Sequence, residues 1–160
     1  MGLPLAAPAE APAEAPITYR LSTDADGPAI GRLFKAADYG DLGVDWARTD
    51  VTRGWLLAVR GAVVVGAIQI FMGQPFSVIG DCVVHPAERA RAQDGRGRFG
   101  GPGRVTLSLY ALALKALGDA GSQIACGVTR KAGLARILGR YGGVPLGPCE
   151  SFAKKLGGAR

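Results

Sequence analysis

Three groups of residues have types and spacing suited to chemistry, and all lie in one stretch of the 160-residue chain. Asp81 and His85 flank a β-branched run, DCVVHP, and His85 is the only histidine. A loop follows that is rich in Gly and Arg. Its end, Arg98-Phe99-Gly100-Gly101-Pro102-Gly103-Arg104, runs directly into the apolar segment Val105–Leu117. Such a strand, loop and helix start form an anion site, because unpaired N–H groups and the positive end of the helix dipole converge where glycines let a ligand reach the backbone. The charge agrees. Of a net +6, much is local: Arg89, Arg91, Arg96, Arg98 and Arg104 stand against Glu88 and Asp94. A polyanion is implied, either a nucleotide-like cofactor or nucleic acid. GRGRFGGPGR has the composition of an RNA-binding RGG segment, but those come as tandem copies in disordered regions, and this one is single and clamped between strand and helix. The cofactor reading is therefore preferred, and a nucleic-acid partner is not expected.

Two further constellations have plain structural readings beside the chemical ones. Tyr39, Asp41, Asp45 and Trp46 could make an acidic, aromatic pocket for a cationic amine, or an ordinary solvated loop. Tyr110 reads as core. Three cysteines, Cys82, Cys126 and Cys149, are an odd number without metal-ligand spacing, so neither a disulfide framework nor a metal site is expected. A reducing, cytoplasmic setting follows. The N-terminus has neither the basic nor the apolar region of a secretory signal, and no apolar run nears the ~18 residues that span a bilayer. No membrane partner is expected.

The elements that would position these groups can be read in order. Residues 1–16, MGLPLAAPAEAPAEAP, form an Ala/Pro tail predicted to be disordered, leaving 17–160 as one domain with 48% apolar residues over the whole chain. Ile17 to Leu21 alternates as a half-buried strand. Ile30, Leu33, Phe34 and Ala37 share a helical face behind Pro28. Trp55–Val59 and Val63–Phe71 predict a hairpin, and Phe76–Val84 a third consecutive strand. After the loop come the apolar helix, a buried strand at Ile124–Val128 parallel to its predecessor, a helix near Gly133–Tyr141, and a last strand within ESFAKKL.

This order, with Arg-x-x-Gly-x-Gly before the helix, resembles the GNAT superfamily of N-acetyltransferases, whose acyl-CoA pyrophosphate loop reads Gln/Arg-x-x-Gly-x-Gly/Ala. Val84-His85-Pro86 is similar to the end of the family's fourth strand, and FAKKL to the closing strand of members that include phage-encoded ones. The resemblance implies a mixed α/β (α+β) fold, with a mostly antiparallel central sheet of six to seven strands flanked by about four helices. It implies acetyl-CoA as cosubstrate, with the backbone of Val83 and Val84 along the pantetheine arm and Arg98, Gly100, Gly101, Gly103 and Arg104 at the pyrophosphate. The implied activity is acetyl transfer to the amine of a small molecule or protein. Two departures accompany it: residues 87–97 are an insertion that should loop out, and Leu138 or Gly139 falls where the family's acid Tyr is expected. Proton transfer is left to Asp81, His85 or the displaced Tyr141. The alternative is a degenerate GNAT-like binding or assembly module, for example in a virion; a homodimer or larger assembly stays open.

Overall fold

A computed structural model describes residues 15–39, 53–89, 104–128, 139, 142, 144–145 and 151–155. Within them the chain forms a seven-stranded sheet with β1 Ile17–Leu21, β2 Arg53–Arg60, β3 Val63–Phe71, β4 Phe76–Val84, β5 Ile124–Val128, β6 Val144–Pro145 and β7 Ser151–Lys155. The order is β1-β2-β3-β4-β5-β7-β6, antiparallel throughout except for β4 beside β5. Two helices pack on it, α1 Gly27–Ala36 and α2 Arg104–Asp119. Asp24–Asp26 and residues 86–89 add single helical turns. The predicted strands and their parallel pair are present, and β6 was not foreseen. The helix predicted near 133–141 lies outside the described residues apart from position 139. Among the described residues no helix is long and apolar enough to cross a membrane.

Period-two alternation sorts β2 between two cores. Trp55, Leu57 and Val59 meet Ile30, Leu33 and Phe34 of α1. Leu56 and Ala58 meet Val105, Leu109 and Ala113 of α2. A strand covered on both faces must read as a continuous apolar run, which is why Trp55–Val59 carries no polar residue. Phe34 sits edge-on to Trp55 with ring centroids 5.5 Å apart, and Tyr39 edge-on to Phe34 at 5.8 Å. On the α2 side the helix rides directly on Gly66. A Cβ there would lie 2.9 Å from Val105 Cγ1 and 3.1 Å from Leu109 Cδ1.

Ion pairs fix the chain ends of these layers. Asp26 accepts two bonds from the Arg20 guanidinium, at 2.6 and 2.7 Å, and others from the Thr23 amide and hydroxyl at 2.7 and 3.0 Å. The Arg20 hydrogen bonds, chiefly, hold the Asp26 carboxyl well below the usual carboxylate range. A second pair corrects a sequence expectation. The insertion after Pro86 does not begin by looping out: residues 86–89 make a helical turn whose Glu88 is buried against Arg60 of the β2–β3 hairpin, with Nε–Oε1 2.9 Å and Nη2–Oε2 2.8 Å. Arg60 also donates to the Ala15 carbonyl ahead of β1. The guanidinium at the hairpin corner thus meets a carboxylate 28 positions on through a two-bond, charge-assisted fork.

Asp26→Asn should cost about 2 kcal/mol at neutral pH, since a charge-assisted fork is lost. Because the folded carboxyl titrates below the unfolded one, its contribution is complete above about pH 4 and vanishes as pH falls toward the folded value. Melting curves of both proteins from pH 7 to pH 2 should therefore converge at the acid end; a constant gap would refute the assignment. Arg60→Ala should cost about 3 kcal/mol by stranding the Glu88 carboxylate, whereas Arg60→Met with Glu88→Leu should recover most of it. Denaturant midpoints measure both, and equal losses in the single and double variants would contradict a buried pair.

Candidate functional site

The candidate site begins with one miscounted residue. β3 and β4 pair Ile70 with Ile79 and Ile68 with Cys82, so a single residue of β3, Gln69, faces two of β4, Gly80 and Asp81. This is a β-bulge, and it reverses the phase of the strand. Ile79 packs in the α2 core, whereas Val83, an even number of residues on, packs in the α1 core. Val84 and Cys82 return to the α2 side. Asp81, Val83 and His85 therefore share the α1 face.

The backbone reverses too. Near the start of β4 the Pro75 carbonyl accepts from the amides of Gln123 and Ile124, at 3.0 and 3.1 Å, so this end of the strand is turned to β5. Past the bulge the His85 amide donates to the Val65 carbonyl at 2.9 Å, which makes 65 and 85 a hydrogen-bonded pair. Alternation in the antiparallel ladder then gives Val83 to Ala67 and turns the N–H and C=O of Cys82 and Val84 away from β3. On that other side β5 pairs only with Phe76 to Ile79. Among the described residues, no strand occupies the β5 side of Gly80–Val84. The result is a splay with a usable strand edge.

The foot of the splay is tied by hydroxyls. Ser77 and Ser122 are buried, and their hydroxyls lie within hydrogen-bond reach of each other and of the Gly73 carbonyl, at 3.1 and 3.0 Å, so that one hydroxyl donates to the carbonyl and the other to its partner hydroxyl. Two strands held at one end by such a knot and freed at the other by a bulge must diverge. Across the splay, α2 begins at Arg104, whose side chain is exposed. Its first amides have no intrahelical acceptor and carry the positive end of the dipole.

The predicted residues fall as follows. Val84 lies on the open edge. Val83 does not: its side chain is fully buried in the α1 core and its backbone belongs to β3. Asp81 is exposed on the α1 face, at the bulge. His85 caps the helical turn, its carbonyl accepting from the Glu88 and Arg89 amides at 3.0 and 3.2 Å and its Nδ1 from the Ala87 amide at 3.3 Å. Arg98, Gly100, Gly101, Gly103 and Tyr141 lie outside the described residues, as do Asp41, Asp45 and Trp46. Tyr110 is core, as read, and burial, then the neighbouring Cys82 and Asp81, raises its phenol far above the ordinary range. It stays protonated. No group of three or more potential metal ligands is found among the described residues.

Three residues at the bulge were not singled out by sequence reasoning: Cys82, Gly80 and Gln69. The backbone of Cys82, rather than that of Val83, is turned away from β3. Gly80 lies on Gln69, so closely that a Cβ would stand 2.8 Å from Gln69 Oε1 and 3.1 Å from Phe71 Cε2. Gln69 is 2% exposed and its Oε1 has no hydrogen-bond partner; its cross-strand neighbour Trp55 is buried with Nε1 equally unpartnered. Each orphan costs about 1–3 kcal/mol relative to a satisfied group. The signal in the sequence was the polar Gln inside VVVGAIQIF together with a Gly-Asp step opposite it.

No protein-family model matches the chain, and no curated protein matches it in sequence. Solved structures do match in shape. The ribosomal-protein-S18-alanine N-acetyltransferase of Escherichia coli superposes with a TM-score of 0.70 at 9% identity, over 90% of this chain and 96% of that one. Aminoglycoside 6′-acetyltransferase type Ii gives 0.68 at 14% identity, over 89% and 99%. The PaiA N-acetyltransferase of Thermoplasma acidophilum, in complex with coenzyme A, gives 0.61 at 9%, over 88% and 99%. With these, the seven-stranded order and the splayed parallel pair, the chain has the fold of the GNAT N-acetyltransferases.

Proposed function

We propose that this protein is an acetyl-CoA-dependent N-acetyltransferase acting on an amine of a small molecule or protein. The observation that carries the reading is the β4 edge at Val84, beyond the last residue paired with β5 and next to the start of α2. An edge in a sheet interior invites a strand-like ligand, and the extended, amide-containing pantetheine arm has the matching donors and acceptors. The adjacent helix start, with Arg104 and the Arg98–Gly103 run before it, suits a pyrophosphate. CoA is the ligand of one neighbour of the same fold, which favours it over other polyanions.

Bound acetyl-CoA would supply the thioester, and attack of the amine nitrogen on its carbonyl carbon would form the amide and release the CoA thiolate. The chain's own part is positioning and proton removal. Edge amides at the bulge can donate to a carbonyl oxygen that gains charge during attack. Asp81, exposed on the α1 face beside the bulge, can draw an ammonium and take its proton directly or through one water. His85 is committed to capping, so Asp81 is the preferred base. The absence of an acid at Leu138 or Gly139 is tolerable, since a thiolate leaves more readily than a protonated amine attacks.

Proline substitutions separate the two sides of β4, because proline removes the donor. Val84→Pro should fold with a small loss of melting temperature yet bind acetyl-CoA at least about tenfold more weakly, one lost edge donor being worth about 1.4 kcal/mol or more. Val83→Pro should unfold the domain by breaking the ladder to Ala67. Calorimetric titration of CoA and acetyl-CoA, with thermal shift, measures this, and a wild type that gives neither heat nor stabilisation at millimolar ligand would sink the proposal in favour of a binding or assembly module.

Turnover on a panel of peptide N-termini, polyamines and aminoglycosides, read as thiol release, tests the base. Asp81→Asn should lower kcat/KM for the best amine by about 10²-fold. His85→Ala should cost less than tenfold. The reverse ranking would move the base to His85.

A further inference from the structure

Gln69 is the one residue of β3 that faces the two-residue bulge, and at 2% exposure it carries an amide oxygen without a hydrogen-bond partner among the described residues. Directly above it sits the one residue type that could approach so closely. Any Cβ at position 80 would be 2.8 Å from that oxygen, and the Phe71 ring closes the other side at 3.1 Å. The Gly80 Cα–H pointing at Oε1 is a weak donor and only partly compensates the oxygen. A methionine or leucine of similar volume would fill the place without any unsatisfied atom. Stability alone therefore does not explain a glutamine there. Costly, over-determined groups of this kind cluster where geometry matters for function.

We infer that Gln69 is a positioning residue: with Gly80 it sets the height and twist of the Gly80–Asp81 bulge, and through it the direction of the Cys82–Val84 edge and of the Asp81 carboxylate. The inference rests on the acetyl-transfer reading for its consequence but not for its geometry. The oxygen keeps position 80 at contact distance and holds the bulge down on the sheet. Without it the bulge loses the contact that holds it, and the direction of the edge changes.

The test uses the whole chain with Gln69→Met, which keeps length and volume and deletes the oxygen. The expected result is an opposed pair of changes. The variant should melt about 3–8 °C higher, because an unsatisfied buried group is gone, and should bind acetyl-CoA about tenfold more weakly because the edge is misdirected. Backbone amide resonances of Asp81 and Cys82 should shift in the ligand-free protein. A lower melting temperature, or a higher one with unchanged resonances, overturns the inference. Resonances that shift in a protein that never binds acetyl-CoA would uphold the positioning and remove only the transferase reading. Gly80→Ala provides the second measurement: it should disturb the same two resonances and lose melting temperature. In a Gln69→Ala background, which opens space for the new methyl, the same substitution should cost much less. Additive losses would show that Gly80 and Gln69 are not coupled, and would overturn it as well.

Discussion

One extra residue in β4 is the constraint on which the rest depends. A strand in a sheet interior normally has both edges occupied, and leaving N–H and C=O groups open there is costly unless a ligand or water takes them. Here the strand is tied to β5 at its first half and to β3 throughout, and the bulge between Ile79 and Cys82 lets both pairings exist without letting the second half meet β5. A regular strand would keep Cys82 and Val84 bonded to β3 and turn Val83 and His85 to the free side. The bulge exchanges these roles.

An open edge survives only if the strands cannot close over it, and the anchors stand at its two ends. At the foot, the Ser77–Ser122 pair and the Gly73 carbonyl bind the start of β4 to the turn before β5. At the top, Glu88 clamps the turn after β4 to Arg60 on the far hairpin, away from β5. Both are buried, so both are weakly screened, and the charged one is costly to break from either side. Between them the Val65 carbonyl, itself on an extra residue of β3 between the Ala58 and Val59 pairings, takes the His85 amide. The end of β4 is thus received by the extra residue of β3, four residues beyond the bulge in β4 itself. That bond fixes where the strand turns from sheet to helix.

Much of this was legible in the sequence, and the residues say why. The apolar run Trp55–Val59, the alternation in Ile17–Leu21, Pro28 ahead of Ile30, and the apolar run from Val105 are local signals, and each gave the right element. The parallel partner of β4 followed from the helical crossover that joins the two strands. The bulge was not legible, because a single added residue changes the meaning of every later position without changing composition; Val83 read as edge backbone when the phase was taken as regular. Arg60 with Glu88 escaped for another reason. Two charges 28 positions apart announce nothing until the fold has joined the hairpin to the strand end. Asp81 and His85 were found by residue type, but only the reversal decides which face they serve.

That reversal also separates two kinds of chemistry. On the α2 face beyond the bulge stand Cys82, Val84 and the Tyr110 phenol, which burial keeps protonated. On the α1 face stand Asp81, His85 and, past the end of α1, the exposed Tyr39. The exposed Asp81 carboxylate and the His85 imidazole near the bulge are thus on one side of the sheet, and the helix start that favours anions is on the other. A ligand carrying phosphates is drawn to the α2 side and can reach the sheet only along the open edge. A cationic amine is drawn to the carboxylate on the α1 side. Under the acetyl-transfer proposal the two would meet at the bulge, where among the described residues no strand covers the β5 side. An arrangement that keeps a polyanion and a cation apart, and lets them meet at one backbone opening, is the geometry that direct transfer between them requires.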